Sequence, residues 1–165
     1  MMEAKDYLLN HEDDALRIKN IETILKYVGS KGEDRLNRWQ YFTPDGQGGY
    51  TGPGKYDNYD KTEDGVPGHE GLKMSDAWNY KFFPEFHFED NILLQTQDPN
   101  YYVVVSKGVG YIDFPDYEKK PYYNYFFHTF EMEDGKIKRY REHMNFCEVF
   151  HTLGIELPQV KFPGM

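Results

Sequence analysis

From Phe86 to Asn145 the apolar residues of this 165-residue chain recur at every second position, broken only where turn-forming residues cluster. That period of two commits the C-terminal half to β-strands, because successive strand side chains point to opposite faces. Phe86, Phe88, Asp90, Ile92 and Leu94 form one side of the first strand. After the Asp98-Pro99-Asn100 turn, Tyr101 to Ile112 alternates again, and Gly108 and Gly110 predict a bend or bulge. A loop with Pro115 and Pro121 leads into the aromatic strand Tyr122 to Met132. Asp134-Gly135 is a strong hairpin signal, and Lys136 to Asn145 is the returning strand.

Ahead of the strands the period is helical. Leu16, Ile18, Ile21, Ile24, Leu25 and Val28 fall at three- and four-residue steps, with Asp13 able to cap the start and Gly29 or Gly32 to end it. A short helical stretch spans Glu33 to Tyr41 and stops before Pro44. Residues 44–71 hold eight of the fifteen glycines and three prolines and read as a long loop. Helical spacing resumes at Leu72, Met74, Ala77 and Trp78 and ends near Phe83, since Pro84 follows. A short helix from Cys147 to Leu153 and an extended tail close the chain. Helices first and antiparallel strands after predict an α+β fold, helices packed on one face of a curved antiparallel sheet, with residues 1–165 as one domain.

Composition then limits the function. Twenty-nine residues are Phe, Tyr or Trp, so rings supply most of the burial and a disordered chain is excluded. The net charge of -9 repels phosphate backbones and anionic membranes, so no nucleic acid or membrane partner is expected. The longest wholly apolar run, Tyr101 to Val105, is far short of a spanning helix. Glu3, Asp6, Glu12, Asp13 and Asp14 occupy the region where a secretory signal needs a basic start and an apolar core. With a single cysteine, Cys147, there is no disulfide framework either, and a cytoplasmic protein is expected.

The most informative anomaly is Glu142. In the last strand Arg139, Arg141, His143 and Asn145 alternate with Tyr140, Glu142 and Met144, which places this carboxyl on the apolar side. A two-residue hairpin loop would pair Glu142 with Phe127, and a bulged three-residue loop with Phe126. Among rings a carboxyl is desolvated and its pKa rises, making it a candidate general acid; the alternative is a Glu satisfied by a core Arg or a Tyr hydroxyl. Arg38, beside Trp39, is a candidate to hold a substrate carboxylate through two parallel hydrogen bonds. Tyr122, Asn124 and His128 share a face with Phe126, Phe130 and Met132, a composition found in small-molecule pockets and equally in satisfied aromatic cores. Ser75, Trp78 and Asn79 project at neighbouring helical spacings toward the same region.

Other signals fail. Gly49 to Lys55 has phosphate-loop spacing, but Tyr56 stands where Ser or Thr must hold magnesium, and no helix follows. His87, Glu89 and a distant His128 imitate a two-histidine, one-carboxylate site, yet no metal and no cofactor are expected. Cys147 reads as a buried thiol without a nucleophile's surroundings.

Gly32-Glu33-Asp34-Arg35-Leu36-Asn37-Arg38, Asp45-Gly46-Gln47-Gly48-Gly49, Phe83-Pro84-Glu85-Phe86, Asp98-Pro99-Asn100-Tyr101 and the run from Phe127 to Val160 together resemble the phenazine biosynthesis protein A/B family. The most specific stretches are His128-Thr129-Phe130, Asp134-Gly135-Lys136-Ile137-Lys138 and Arg141-Glu142-His143-Met144-Asn145. The resemblance implies a ketosteroid-isomerase-like, SnoaL-like cone with an internal pocket and a homodimer formed through the sheet. It implies acid-catalysed condensation of small cyclic amino-ketone carboxylic acids, by imine formation, toward a phenazine-like tricycle. The family's acid matches Glu142, its substrate-binding arginine Arg38, a pocket tyrosine Tyr122 and its tryptophan Trp78. Its pocket histidine falls on Ser75 and its neighbouring serine on Asn79, and about five extra residues lie between Gly49 and Gly68. Those departures keep two alternatives open on the same fold: a non-catalytic small-molecule binder, or a SnoaL-like cyclase, dehydratase or isomerase for a cyclic ketone.

Overall fold

A computed structural model describes residues 9–50 and 68–157. In chain order these form α1 (Asp14–Gly29), a 3-10 segment (Gly32–Tyr41), β1 (Phe42–Tyr50), α2 (Gly68–Phe82), β2 (His87–Gln95), β3 (Tyr101–Ile112), β4 (Lys120–Glu133), β5 (Lys136–Met144) and α3 (Phe146–Leu153). The five strands make one sheet in the order β1-β5-β4-β3-β2, antiparallel throughout except that β1 runs parallel to β5. Helices pack on the sheet, so the architecture is the α+β arrangement that the element order predicts.

β1 corrects the expected loop at residues 44–71. Phe-Thr-Pro-Asp-Gly-Gln-Gly-Gly-Tyr has no apolar alternation and carries the residues that usually interrupt strands. It is held as an edge strand by pairing with β5, and glycine serves close approach: a Cβ on Gly48 would lie 3.1 Å from Leu72 of α2. The same helix begins at Gly68, four residues before the expected start, and residues 51–67, including most of the phosphate-loop-like stretch, lie outside the described residues.

Two bulges set which side chains face inward. In β2 the pairing with β3 shifts between Glu89 and Ile92, at Asp90, whose φ of 53° is left-handed. Phe86 and Phe88 are therefore buried, while Ile92 and Leu94 turn to the outer face instead of sharing one side with them. In β5 the pairing with β4 shifts at Lys138, although the loop itself is the two-residue Asp134-Gly135. Glu142 consequently pairs with His128, not with Phe127 or Phe126, because one inserted residue flips every side chain beyond it. Gly108 and Gly110 mark no bulge, since β3 pairs with β4 without a shift from Tyr101 to Ile112. Their hydrogens permit close approach: a Cβ on Gly108 would overlap the rings of Phe126 and Phe86, and one on Gly110 the backbone of Phe86.

The core lies between the inner face of the sheet and the helices. Tyr102 and Val104 of β3, Tyr122, Phe126, His128 and Phe130 of β4, and Ile137 of β5 are nearly or wholly enclosed, roofed by Ile24, Tyr27 and Val28 of α1. The buried stripe of α1 is not the one its apolar residues suggest. Ile18 and Leu25 are exposed, whereas Arg17 and Asn20 are buried. Arg17 donates to Thr96 O and Gln97 O at 2.8 and 2.7 Å, and Asn20 to Pro99 O at 2.8 Å, so both polar groups are used to clamp the β2–β3 turn. Asp13 precedes the helix without a capping bond; Asn10 accepts from Glu12 N instead. α3 starts on Asn145, whose side chain accepts from Cys147 N, and stops at Gly154 with φ 74°. Its Phe146, Val149 and Phe150 turn inward, which leaves Cys147 exposed, contrary to the buried thiol expected.

Candidate active site

A cavity of about 430 Å³ opens between the sheet and the helices. Its size is within the range of small-molecule sites. Aromatic rings form most of the wall, from Tyr27 of α1, Phe42 of β1, Trp78 of α2, Phe88 of β2, Tyr122 and Phe126 of β4, Phe146 and Phe150 of α3, and Phe86 and Phe114, just before β2 and just after β3. Four charged groups converge among them: Arg35 and Arg38 from the 3-10 segment, Asp76 from α2 and Glu142 from β5.

Glu142 reaches the cavity because of the β5 bulge. Its Oε2 accepts from Tyr140 Oη at 2.7 Å, and the side chain retains 21% exposure. Desolvation raises its pKa above the usual carboxylate value, opposed by the Tyr140 hydrogen bond and by the positive charges of Arg38 and Arg35. This is both the desolvated acid and the Tyr-satisfied carboxyl weighed from the sequence, in one residue.

Arg38 is buried. Its Nε donates to Ser30 Oγ at 2.5 Å and its Nη2 to Ser30 O at 3.3 Å, and its guanidinium lies 5.1 Å from the Tyr27 ring centre and 5.5 Å from that of Phe88. Arg35 is tied to backbone, donating to Phe83 O at 2.7 Å and Asn79 O at 3.1 Å. Burial, and then the neighbouring Arg38 charge, lower its pKa to about 10.

Asp76 is the group that the sequence reading passes over. Its Oδ2 accepts from Trp39 N at 2.9 Å, joining α2 to the 3-10 segment. Burial raises its pKa to about 7, against the lowering effects of that hydrogen bond and of Arg38 and Arg35. The signal was available: Asp76 is one helical turn beyond Leu72, the residue of α2 that packs into the core, so the helix period carries it inward.

Ser75, Trp78, Asn79 and Tyr122 all line the cavity. Asn79 Nδ2 donates to Ser75 O at 2.9 Å, the backbone acceptor one turn back, and lies 3.4 Å from Ser75 Oγ. Trp78 is 40% exposed and rests against Phe82, Phe83 and Phe114, a partly open wall and not core. Asn124 and His128 are not in the lining. Asn124 is buried beneath it, donating to Tyr122 Oη at 2.7 Å and Asn145 O at 2.9 Å. His128 lies behind Glu142, its Nδ1 2.8 Å from Tyr140 Oη, and burial depresses its pKa to about 3. Both share the inward face of β4 with the lining residues Tyr122 and Phe126, but they are buried and do not reach the cavity. The other members of the imagined metal set, His87 and Glu89, lie beside Lys107, which pairs with Glu89 at 2.9 Å. No helix among the described residues is long and apolar enough to cross a membrane.

The sequence profile of phenazine biosynthesis protein A/B matches residues 2–165. Phenazine biosynthesis protein PhzB2 of Pseudomonas aeruginosa is 40% identical over 154 residues, covering 91% of this chain and 90% of that one. A crystal structure of a phenazine biosynthesis-related protein, PhzB2, from Pseudomonas aeruginosa superposes with a TM-score of 0.79 at 39% identity, over 93% of this chain and 97% of the other. The same fold extends to a protein with a ketosteroid isomerase-like fold from Catenulispora acidiphila, at TM-score 0.59 and 12% identity over 82% of this chain and 94% of that one. With the profile spanning nearly the whole chain and relatives of such identity, this chain belongs to the phenazine biosynthesis protein A/B family.

Proposed function

We propose that the protein acts in phenazine biosynthesis as an acid catalyst, condensing two molecules of a small cyclic amino-ketone carboxylic acid by imine formation. The observation that carries this reading is Glu142: a desolvated carboxyl on the wall of an aromatic cavity that also holds Arg38. The amine nitrogen of one substrate adds to the ketone carbon of the other. Glu142 delivers a proton to the ketone oxygen as the carbinolamine forms and a second to the resulting hydroxyl, which leaves as water when the C–O bond breaks and the C=N bond forms; the nitrogen gives up its two protons in turn, each restoring the acid. Arg38 holds a substrate carboxylate and the rings limit access of bulk water. Asp76, with its pKa near neutrality, is able to take or give a proton in the same space.

The test is to mix the protein with the amino-ketone acid and follow appearance of the tricycle. Wild type should exceed the buffer rate, and Glu142→Gln should lose roughly 100-fold or more, as removal of a general acid does. A wild-type rate equal to buffer, or a Glu142→Gln rate equal to wild type, refutes it.

Ser75 favours a second reading. The cavity presents a hydroxyl where the family resemblance expects a histidine, so a binder that has lost turnover fits the same pocket. Ser75→His separates the two: an enzyme weakened at that position gains rate, and a pure binder gains none.

We further propose that the protein is a homodimer joined through the outer face of the sheet. Ile92, Leu94, Tyr123, Tyr125 and Phe127 stand exposed there, Tyr125 at 71%. Sedimentation should give about 39 kDa, twice the chain mass of 19.6 kDa, and a monomer mass rules the pairing out.

A further inference from the structure

His128 has no exposed surface. Its ring stacks on those of Phe126 and Tyr140 and meets Phe88 edge-on, with centroids 5.8, 5.8 and 4.6 Å away. Strand register brings it opposite Glu142, with Tyr140 two residues before Glu142 on the same face. Nδ1 is 2.8 Å from Tyr140 Oη, Oη is 2.7 Å from Glu142 Oε2, and Nδ1 is 3.9 Å from Oε2. The imidazole therefore reaches the carboxyl through the phenol.

Counting hydrogens orients this chain. An ionised carboxylate only accepts, so the single hydroxyl hydrogen of Tyr140 belongs to Oε2. Nδ1 must then carry a hydrogen and donate it to Oη. A neutral imidazole has one such hydrogen, which leaves Nε2 a bare acceptor. Among the described residues Nε2 is buried with no hydrogen-bond partner. An apolar side chain in this ring-lined position would avoid that desolvation cost, so the histidine is kept for what its other nitrogen does.

We propose that His128, as the Nδ1–H tautomer, is a positioning residue that aims the Tyr140 hydroxyl at Glu142 Oε2 and so places the transferable proton of Glu142 on Oε1. The proposal deepens the acid role of Glu142 and rests on it for its catalytic meaning, but the hydrogen-bond chain exists without substrate. Loss of the aimed donor removes support for the ionised carboxylate and raises the pH at which Glu142 titrates. Among the described residues, Arg38 and Arg35 from the 3-10 segment also act there and favour the ionised form. Tyr27 of α1 adds its field at Tyr140, Asp76 of α2 shares the cavity, and His143 of β5 acts on His128.

The experiment uses the full chain without ligand. Ring ¹⁵N spectra of His128, recorded where Glu142 is ionised, should show Nδ1 protonated and Nε2 bare. Carboxyl ¹³C titration of Glu142 should move upward by roughly one to two pH units in Tyr140→Phe, the loss of a hydrogen bond to a charged acceptor. It should move upward by less in His128→Leu, and return toward wild type in His128→Asn, whose amide can donate from nearly the Nδ1 position. A protonated Nε2 in wild type overturns the proposal, as does an unchanged Glu142 midpoint across the variants. If His128→Leu fails to fold, the wild-type tautomer decides alone. Neither readout depends on turnover, so failure of the condensation assay and failure of this proposal are separate results.

Discussion

Replacing Asp76 by Asn turns the electrostatics of the cavity into a stability measurement. The substitution keeps an oxygen to accept from Trp39 N, and it removes a carboxyl that burial holds at a pKa of about 7 against an ordinary 3.8. Below about pH 3, a unit under the ordinary value, the wild-type Asp is neutral in both folded and unfolded chains, so it resembles Asn. As pH rises from 4 to 7 the unfolded chain releases this proton while the folded chain retains it. Stability then falls with pH, because the folded state binds more protons. A rise of about three pH units at 1.36 kcal/mol each amounts to roughly 4 kcal/mol of wild-type stability, fully present below about pH 3 and largely lost by pH 7. The assay is urea unfolding of both proteins at intervals from pH 4 to pH 8, reading midpoints at constant slope. Glu142 and every other titrating group not coupled to Asp76 contribute equally to both curves, so the difference isolates Asp76. The Asn variant should gain on wild type steadily across the window and be the more stable by several kcal/mol at pH 8. Parallel curves from pH 4 to pH 8 would refute the claim that folding desolvates this carboxyl.

Three further outcomes follow from packing. Gly108→Ala places a methyl group against Phe126 and Phe86 and should destabilise by about 1–3 kcal/mol, read as a shift in urea midpoint. Arg17→Met keeps the bulk but gives up two charged hydrogen bonds to Thr96 O and Gln97 O; it should cost about 2–4 kcal/mol and speed amide exchange first in the β2–β3 turn. Phe127→Glu changes a ring that is 55% exposed and faces away from the core, so circular dichroism and cavity binding should be retained while sedimentation shifts to the monomer mass.

How much of this was legible beforehand differs from element to element. The period of two from Phe86 onward and the helical period before it predict the element order, and five of the later elements lie within a few residues of their expected bounds. β1 was not legible, because a strand of glycine, proline and amides is recruited by its neighbour's unpaired backbone and not by its own side chains. The buried face of α1 was misread for the related reason that Arg17 and Asn20 are worth burying only where the β2–β3 turn presents carbonyls to them.

For the site, alternation alone placed Glu142 on the apolar side of its strand, and spacing alone grouped Ser75, Trp78 and Asn79. Those are local properties of a chain whose period shows through in its side chains. Tertiary structure decided the rest. A single inserted residue at Lys138 sets which face of β5 turns inward, so that Glu142 meets His128 and Tyr140 instead of Phe127. The packing of the 3-10 segment against α2 sets Arg38 and Asp76 in one cavity. Depth within the sheet moved Asn124 and His128 from the lining to the layer that supports it. Register, depth and long-range pairing depend on where distant segments meet, and the local period that specifies a strand or a helix carries no information about that meeting.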